Sequence, residues 1–485
     1  MYLFHRKFMQ KALLVALLSL IFFIPATAQK IWTLEDCVQY ALDHNLDIKK
    51  QLLTVESYKK QVLQSKLNLL PDLNANATNV WNFGQTIDMF TNTFANTTVQ
   101  SNNFYLSSNF TLFNGLTKLN TIRENQYTLD AIRFDLDVLK DNTSLNVAQF
   151  YLTMLLNTEL LENARQQVKI TQDQVGRVKK MVEAGSSAKG DLLNIQAQQA
   201  AEEYTVVDAE NKLNIAGLSL QLLIDLPVTK DFTIEKPVLN PPETTKQLLN
   251  PEQVYNIAVE NRPEIKSADL RVQAAEKSLA IARGLLYPSL TVSGSWGTGY
   301  SGASKEIDPN VQPVILSGPA GTVTVHDTNY TVYSSYTKNS YRTKSFTNQL
   351  HDNNNQSIGF YLRIPLFNGW QTRTSISQAK IKEDAAQVDL DISKRELRKS
   401  IELAYADAVA ALKKYNSSQQ KVTAQEESFK YTQQKFDVGM LTSFDYNTAK
   451  KDLSTAQSEL LQSKYDFIFR TTIIDFYMGK PIAIK

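Results

Sequence analysis

The chain has 485 residues, with 51 lysines and arginines against 49 aspartates and glutamates; the formal charge of +2 gives no electrostatic reason to expect a nucleic-acid partner. A single cysteine excludes an internal disulfide and a cysteine-rich metal site. Mean hydropathy is −0.28, and past the N-terminal run no segment is long and apolar enough for a transmembrane helix, so entry into a membrane would need strands.

The N-terminus reads as an export signal. Arg6, Lys7 and Lys11 form a basic start, and an apolar run follows from Ala12 to Ile24. Ala26-Thr27-Ala28 supplies the small-x-small cleavage pattern, so residues 1–28 are expected to be removed between Ala28 and Gln29. The run of about 13 residues falls short of the roughly 20 a spanning helix needs.

The remainder is written twice. Ala41-Leu42-Asp43-His44-Asn45 reads like Ala258-Val259-Glu260-Asn261-Arg262, and the same offset of 217 carries Leu69-Leu70-Pro71 onto Leu286-Tyr287-Pro288. Leu112-Phe113-Asn114-Gly115 matches Leu366-Phe367-Asn368-Gly369 at an offset of 254, which then carries Gly185 onto Gly439, Asp191 onto Asp445 and Pro227 onto Pro481. The offsets differ by 37, so an insertion lies between Pro288 and Leu366, where the chain is polar and rich in Gly and Asn. The first repeat covers 29–227, with strands at about 72–84 and 103–113 and a tip at about 183–191. A linker over 228–250 leads to the second repeat, 251–485. That repeat has strands at about 289–300 and 356–367, an inserted surface loop at about 297–355, and a tip at about 437–445.

In each repeat a helical pattern, from Leu34 to Leu70 and from Pro251 to Tyr287, stops at Pro71 or Pro288. The strands alternate. Phe104, Leu106, Phe110 and Leu112 share one face, as do Ile358, Phe360, Leu362 and Ile364, and these eight are the expected membrane-facing residues. Helical stretches free of proline follow Gly115 and Gly369. The first carries Val147, Met154, Leu161, Val168, Val175 and Val182 every seven residues, and the second Ile401, Ala408, Tyr415, Val422, Phe429 and Phe436. Such strips mark coiled-coil seams. A companion seam of Ala164, Thr171, Ala411, Ser418 and Gln425 suggests a face turned toward water. Return helices are expected from Asp191 to Asp225 and from Asp445 to Gly479.

A stretch of about 69 residues from Leu116 to Ala184 would make a helix about 103 Å long, matched by the two shorter helices laid end to end. All strands then fall at one end and both glycine tips at the other. Four strands cannot close a barrel, and an open edge cannot stay in hydrocarbon, so two or more copies are required.

With these residues in view, the chain resembles the TolC family of outer-membrane channels. The features shared are the duplicated plan, the Pro71 and Pro288 junctions, the L-F-N-G turns, and Val438-Gly439 followed by Asp445. The resemblance implies a mainly α fold with a small β part: a homotrimer with a 12-stranded outer-membrane β-barrel continued by a long periplasmic α-helical barrel. It implies a tripartite efflux or type I secretion duct for drugs, metals or peptides, docked to a periplasmic adaptor and an inner-membrane transporter. Outer-membrane lipid would surround the barrel. Two departures stand out. Asn194 and Thr448 sit where a second acidic ring would lie, and the implied C-terminal belt segment is longer than the stretch from Pro481 to Lys485.

Asp191 and Asp445 are candidates for an acidic pore constriction, with a helix N-cap as the structural alternative. Gly185 and Gly439 permit tight reversals; the resemblance makes Gly185, Val438, Gly439, Met440, Leu441 and Thr442 candidate adaptor contacts. Trp81, Phe83, Trp296, Tyr300 and Trp370 flank the strands as possible interfacial aromatics. The G-x-G-x-x-G string from Gly297 to Gly302 opens a polar loop instead of a helix and is a false dinucleotide match. His44, His326 and His351 show no metal-ligand spacing. No cofactor and no enzyme activity are expected. The competing reading is a periplasmic coiled-coil adaptor or scaffold without a pore.

Overall fold

The computed structural model describes residues 30–95, 98–228, 232–237 and 250–482, so the Ala28–Gln29 cleavage site lies outside the described residues. The elements run β1 (Ile31–Trp32), α1 (Leu34–His44), α2 (Leu46–Leu67), β2 (Asn74–Asn82), β3 (Thr86–Ile87), β4 (Phe94–Ala95), β5 (Val99–Asn114), α3 (Thr117–Glu183) and α4 (Lys189–Leu223). After β6 (Thr233–Ile234) come α5 (Pro251–Asn261), α6 (Pro263–Gly284), β7 (Ser289–Ser301), β8 (Lys305–Ile307), β9 (Val314–Val325), β10 (Thr328–Lys338) and β11 (Tyr341–Thr343). The chain closes with α7 (Phe346–Asp352), β12 (Asn355–Arg363), α8 (Gln371–Asp437) and α9 (Ser443–Tyr477). The described residues form two compact units: one gathers those within 30–57, 129–271 and 386–482, the other those within 58–128 and 272–385.

The single helices expected before each strand pair are each two helices. Asn45 breaks the first: its Oδ1 accepts from the N–H of Asp47 at 2.9 Å and of Ile48 at 3.1 Å, restarting the helix. Arg262, at the equivalent place, breaks the second because Pro263 disfavours helical backbone before it. Both helices also end before the prolines, in tightened turns such as Leu70 N–H to Leu67 O at 2.9 Å and Tyr287 N–H to Gly284 O at 3.1 Å.

In the helical unit, the core joins Leu34, Cys37 and Ala41 of α1 to Val147, Tyr151 and Leu155 of α3, Leu220 of α4 and Tyr465 of α9. Burial pushes the Cys37 thiol up to about 12. The expected linker is partly structured: Ile31 and Trp32 pair in parallel with Thr233 and Ile234, and the Tyr151 hydroxyl donates to Glu235 O at 2.9 Å. Within the heptad strips Val147, Met154, Leu161, Ile401, Ala408, Tyr415 and Val422 are buried. In the companion seam Thr171 and Ala411 are buried, each 2% exposed, while Ala164, Ser418 and Gln425 are half-buried. Small residues there let neighbouring helices approach.

In the strand unit, β12, β7, β5 and β2 form one antiparallel sheet in that order. The insertion, expected as a loop over 297–355, is largely structured. Residues up to Ser301 continue β7, and β8–β11 and α7 follow, including a β9–β10 ribbon turned by His326 and Asp327 at φ of 49° and 57°. Gly299 in the G-x-G-x-x-G string lies in β7, where a Cβ would collide with Phe90 and Asn102 O; its glycine serves packing.

Gly115 and Gly369 share a left-handed φ, 65° and 62°, yet a Cβ at Gly115 would overlap the Gly284 carbonyl while one at Gly369 meets nothing within 4 Å. Gly369→Ala should therefore cost the single chain about 1 kcal/mol, from backbone strain alone. Gly115→Ala, with overpacking added, should cost about 3 kcal/mol. Urea titration of refolded monomer measures both, and equal midpoints would refute the packing argument.

Candidate functional site

The sheet has two chemically distinct faces. Phe360–Val292–Phe110, Leu362–Leu290–Phe113 and Gln356–Trp296–Leu106–Ala75 lie in register as rows on one face, apolar but for Gln356. The alternate rows are Tyr361–Thr291–Thr111 and Ser357–Ser295–Ser107–Asn74, with Ser295 and Ser357 hydroxyls 2.7 Å apart. Strands of nine residues, as in β2 and β12, meet the length a tilted membrane strand needs. Both of these strands are paired on one side only.

Six of the eight expected membrane-facing residues fall in this pattern as read, namely Phe104, Leu106, Phe110, Ile358, Phe360 and Leu362. Phe104 is half-buried, its ring 6.4 Å from Phe346 of α7. Two lie outside the regular rows. Leu112 sits at a β-bulge between Thr111 and Phe113, so Phe113 takes over the apolar row. Ile364 lies one residue past β12. Of the flanking aromatics, Trp81, Phe83, Trp296 and Trp370 are exposed. Tyr300 is half-buried with its ring 5.4 Å from Phe346, and the Arg373 guanidinium stands 4.5 Å from the Trp370 ring.

At the tips both glycines close Schellman motifs. Ser186 N–H reaches Met181 O and Met440 N–H reaches Lys435 O, each at 2.9 Å, while Gly185 and Gly439 adopt φ of 74° and 76°. The expected N-cap role of Asp191 and Asp445 is not observed, because α4 and α9 begin earlier, with Ala188 and Thr442 as caps. Asp445 occupies the third helical position and completes a capping box: its N–H donates to Thr442 Oγ1 at 3.2 Å, and its Oδ2 accepts the Thr442 N–H, also at 3.2 Å. Asp191 Oδ2 accepts from the Ser187 hydroxyl at 2.9 Å. The tips differ in chemistry. Val438 and Met440 are over two-thirds exposed and Leu441 and Thr442 complete that turn, whereas Ala184, Ser186, Ser187 and Ala188 stand at the matching positions.

Sequence reasoning missed a buried charge behind the tips. Lys450 of α9 is 4% exposed, and its ammonium donates to Gln167 O at 2.9 Å, to Glu202 Oε1 and Oε2 at 3.0 and 3.1 Å, and to the Thr171 hydroxyl. Desolvation holds its pKa below the usual lysine value, opposed by the Glu202 carboxylate. The repeat offset places Gln196 opposite Lys450 and Ala456 opposite Glu202, so no periodic signal exposes the pair. Nearby, Arg177 of α3 and Asp437 at the end of α8 pair at 2.5 Å. Among the described residues no cluster of His, Cys, Asp or Glu suits a metal, and no helix is long and apolar enough to cross a membrane.

Two-faced strands joined to paired long helices in a duplicated plan define the class: an outer-membrane protein of the helix–strand repeat type. Residues 37–224 and 254–469 match the family described as Outer membrane efflux protein, and the chain belongs to that family. It is 22% identical over 340 residues to the alkaline protease secretion protein AprF of Pseudomonas aeruginosa, covering 69% of this chain and 61% of that one. With the outer membrane protein TolC of Vibrio cholerae identity is 24% over 324 residues, covering 67% and 64%. The alignments thus span less than two thirds of these relatives. In fold it is similar to the channel-forming CusC, at TM-score 0.72 and 16% identity, covering 92% of each chain. The outer membrane protein VceC of Vibrio cholerae is similar at TM-score 0.70 and 15% identity, covering 93% and 97%. These names describe secretion and membrane channels, not catalysis.

Glu202→Ala leaves the Lys450 ammonium buried without a counter-charge, and should cost about 3 kcal/mol. Replacing both, Lys450→Met with Glu202→Leu, should restore most of that loss. Thermal unfolding of the purified protein checks the contrast, and a double variant no more stable than Glu202→Ala would refute it.

Proposed function

We propose that this chain is one protomer of a trimeric outer-membrane channel, a passive water-filled duct for drugs, metals or peptides in a tripartite efflux or type I secretion system. An inner-membrane transporter supplies the energy and a periplasmic adaptor couples it to the duct. The observation that carries this reading is a missing partner. Within the chain, β5 of the first repeat pairs with β7 of the second, and the Gly115 turn packs on the Gly284 helix end. The equivalent contacts, β12 with β2 and the Gly369 turn with the Leu67 helix end, are unmade, and Leu366 and Phe367 stand 92% and 82% exposed. A neighbouring copy supplies all of these partners at once. A pore-free adaptor or scaffold has no use for two complementary free edges. AprF, named for alkaline protease secretion, supports an export role.

In this reading Asp191 and Asp445 ring the periplasmic constriction, where the Ser187 hydroxyl and the Thr442 capping box hold the two carboxylates in place. The adaptor meets Gly185 and the more apolar turn formed by Val438, Gly439, Met440, Leu441 and Thr442.

The internal pairing also fixes the register between copies. Ser107↔Ser295 maps by the two repeat offsets onto Tyr361 and Thr78. A Thr78→Cys, Tyr361→Cys double variant should oxidise in outer membranes to covalently linked trimers, and the purified trimer should conduct ions in planar bilayers. A monomeric product without conductance would overturn the proposal. Asp445→Asn, which keeps an acceptor for the Thr442 cap, should shift conductance toward anions; unchanged selectivity would remove Asp445 from the constriction.

A further inference from the structure

The β9–β10 ribbon inside the insertion has no assigned role. Its two strands pair over eleven register positions, and nearly every residue in both is exposed. An isolated two-stranded hairpin is marginal in water. This one also lacks the usual protection of exposed strands, since from Val314 to Lys338 its formal charges are Asp327 and Lys338 alone. The register sorts its side chains. Val314, Val323, Val325, Tyr330, Val332 and Tyr336 share one face, and all six are exposed; Thr328 and Ser334 lie among them and Lys338 at the base. The other face carries Thr322, Thr324, Asn329, Thr331 and Ser335, broken by Tyr333 and Ile315 toward the base. Alternation of this kind marks a surface built to be covered on one side.

The size of that face identifies what covers it. Strands of about twelve residues, two abreast, present about 400 Å², roughly half of what each partner of a stable free-standing complex contributes. A freely diffusing protein would not be held by it. A sister copy already tethered by barrel closure meets it at high effective concentration, where a small contact suffices. Near-absence of Lys and Arg argues against anionic lipid headgroups. The ribbon also grows from the β7–β12 half of the sheet, and β12 is a free edge that a sister copy must cover. We propose that the ribbons of the three protomers turn their apolar faces inward and pack on one another about the threefold axis, forming an extracellular collar. This inference rests on the oligomeric reading above.

Adjacent residues on opposite faces provide the test. Tyr330→Cys and Thr331→Cys are compared in trimers whose mass is first verified in detergent. Cys37 stays in place, buried and with its thiol held near 12, so it remains unreactive. The collar requires that a membrane-impermeant maleimide label Cys at 330 at least tenfold more slowly than at 331. A short bis-maleimide should link two protomers through position 330 and not through 331. Intact trimers with equal labelling rates and no link overturn the collar while leaving the channel standing. Protection present on cells but lost in purified trimers would assign the face to another molecule and equally overturn it. Absence of trimers would defeat the oligomeric reading itself, and the collar with it.

Discussion

A backbone amide or carbonyl without a partner in hydrocarbon costs several kcal/mol, and β2 and β12 each present nine residues with one side unpaired. No rearrangement within one chain removes this, because four strands are too few to curl into a closed cylinder. In the proposed channel the pairing comes from outside the chain, from a surface of matching polarity and register. The helices face no such demand. They satisfy their amides internally and need to bury only a narrow stripe, so α3 and α8 can each run for 67 residues. A small sheet and very long helices in one chain reflect two solvents with different tolerance for exposed backbone.

Duplication answers the edge problem directly. One repeat's second strand recognises the other repeat's first strand within the chain, and in the proposed oligomer the leftover strands recognise each other between chains by the same chemistry. Repeat-related positions preserve that logic even in detail. Asn45 and Arg262 interrupt equivalent helices, and Gly185 and Gly439 end equivalent long ones. Asp225, at φ 56°, adopts the left-handed conformation that Gly479, at 76°, adopts in the second copy. Asp225 also accepts the N–H of Leu46 at 3.3 Å, a use for its side chain that glycine lacks.

Features governed by period or by backbone were legible in the sequence. The offsets placed the strands, the heptad strips located the seams, and Gly185 and Gly439 marked the reversals. Features governed by local competition were not. Asn45 reads as an ordinary helical residue until its side chain is seen capping the next helix, and Asp445 reads as a cap because Thr442, three residues earlier, makes the same signal. The bulge at Leu112 is invisible to alternation, which continues through it unbroken. The insertion read as loop because its Gly and Asn content outweighed the Val and Tyr alternation of β9 and β10.

The Lys450 network was illegible for a deeper reason: it exists where the repeats disagree. Two similar helix pairs can in principle pack in the wrong order, and apolar seams of equal period would tolerate the exchange. A lysine placed against Glu202, Thr171 and Gln167 does not tolerate it. If the return helices of the two repeats exchanged places, Gln196 would take the Lys450 site and Ala456 the Glu202 site, and Lys450 and Glu202 would each lose their partner, to stay buried unpaired or to move out into water. Either outcome removes a charge-assisted contact and strands a buried group, which is costlier than losing an apolar contact of similar size. The stabilisation that such a pair adds to the correct arrangement is modest. Its larger effect is to raise the energy of the wrong one, so that two nearly equivalent repeats alternate in a single order.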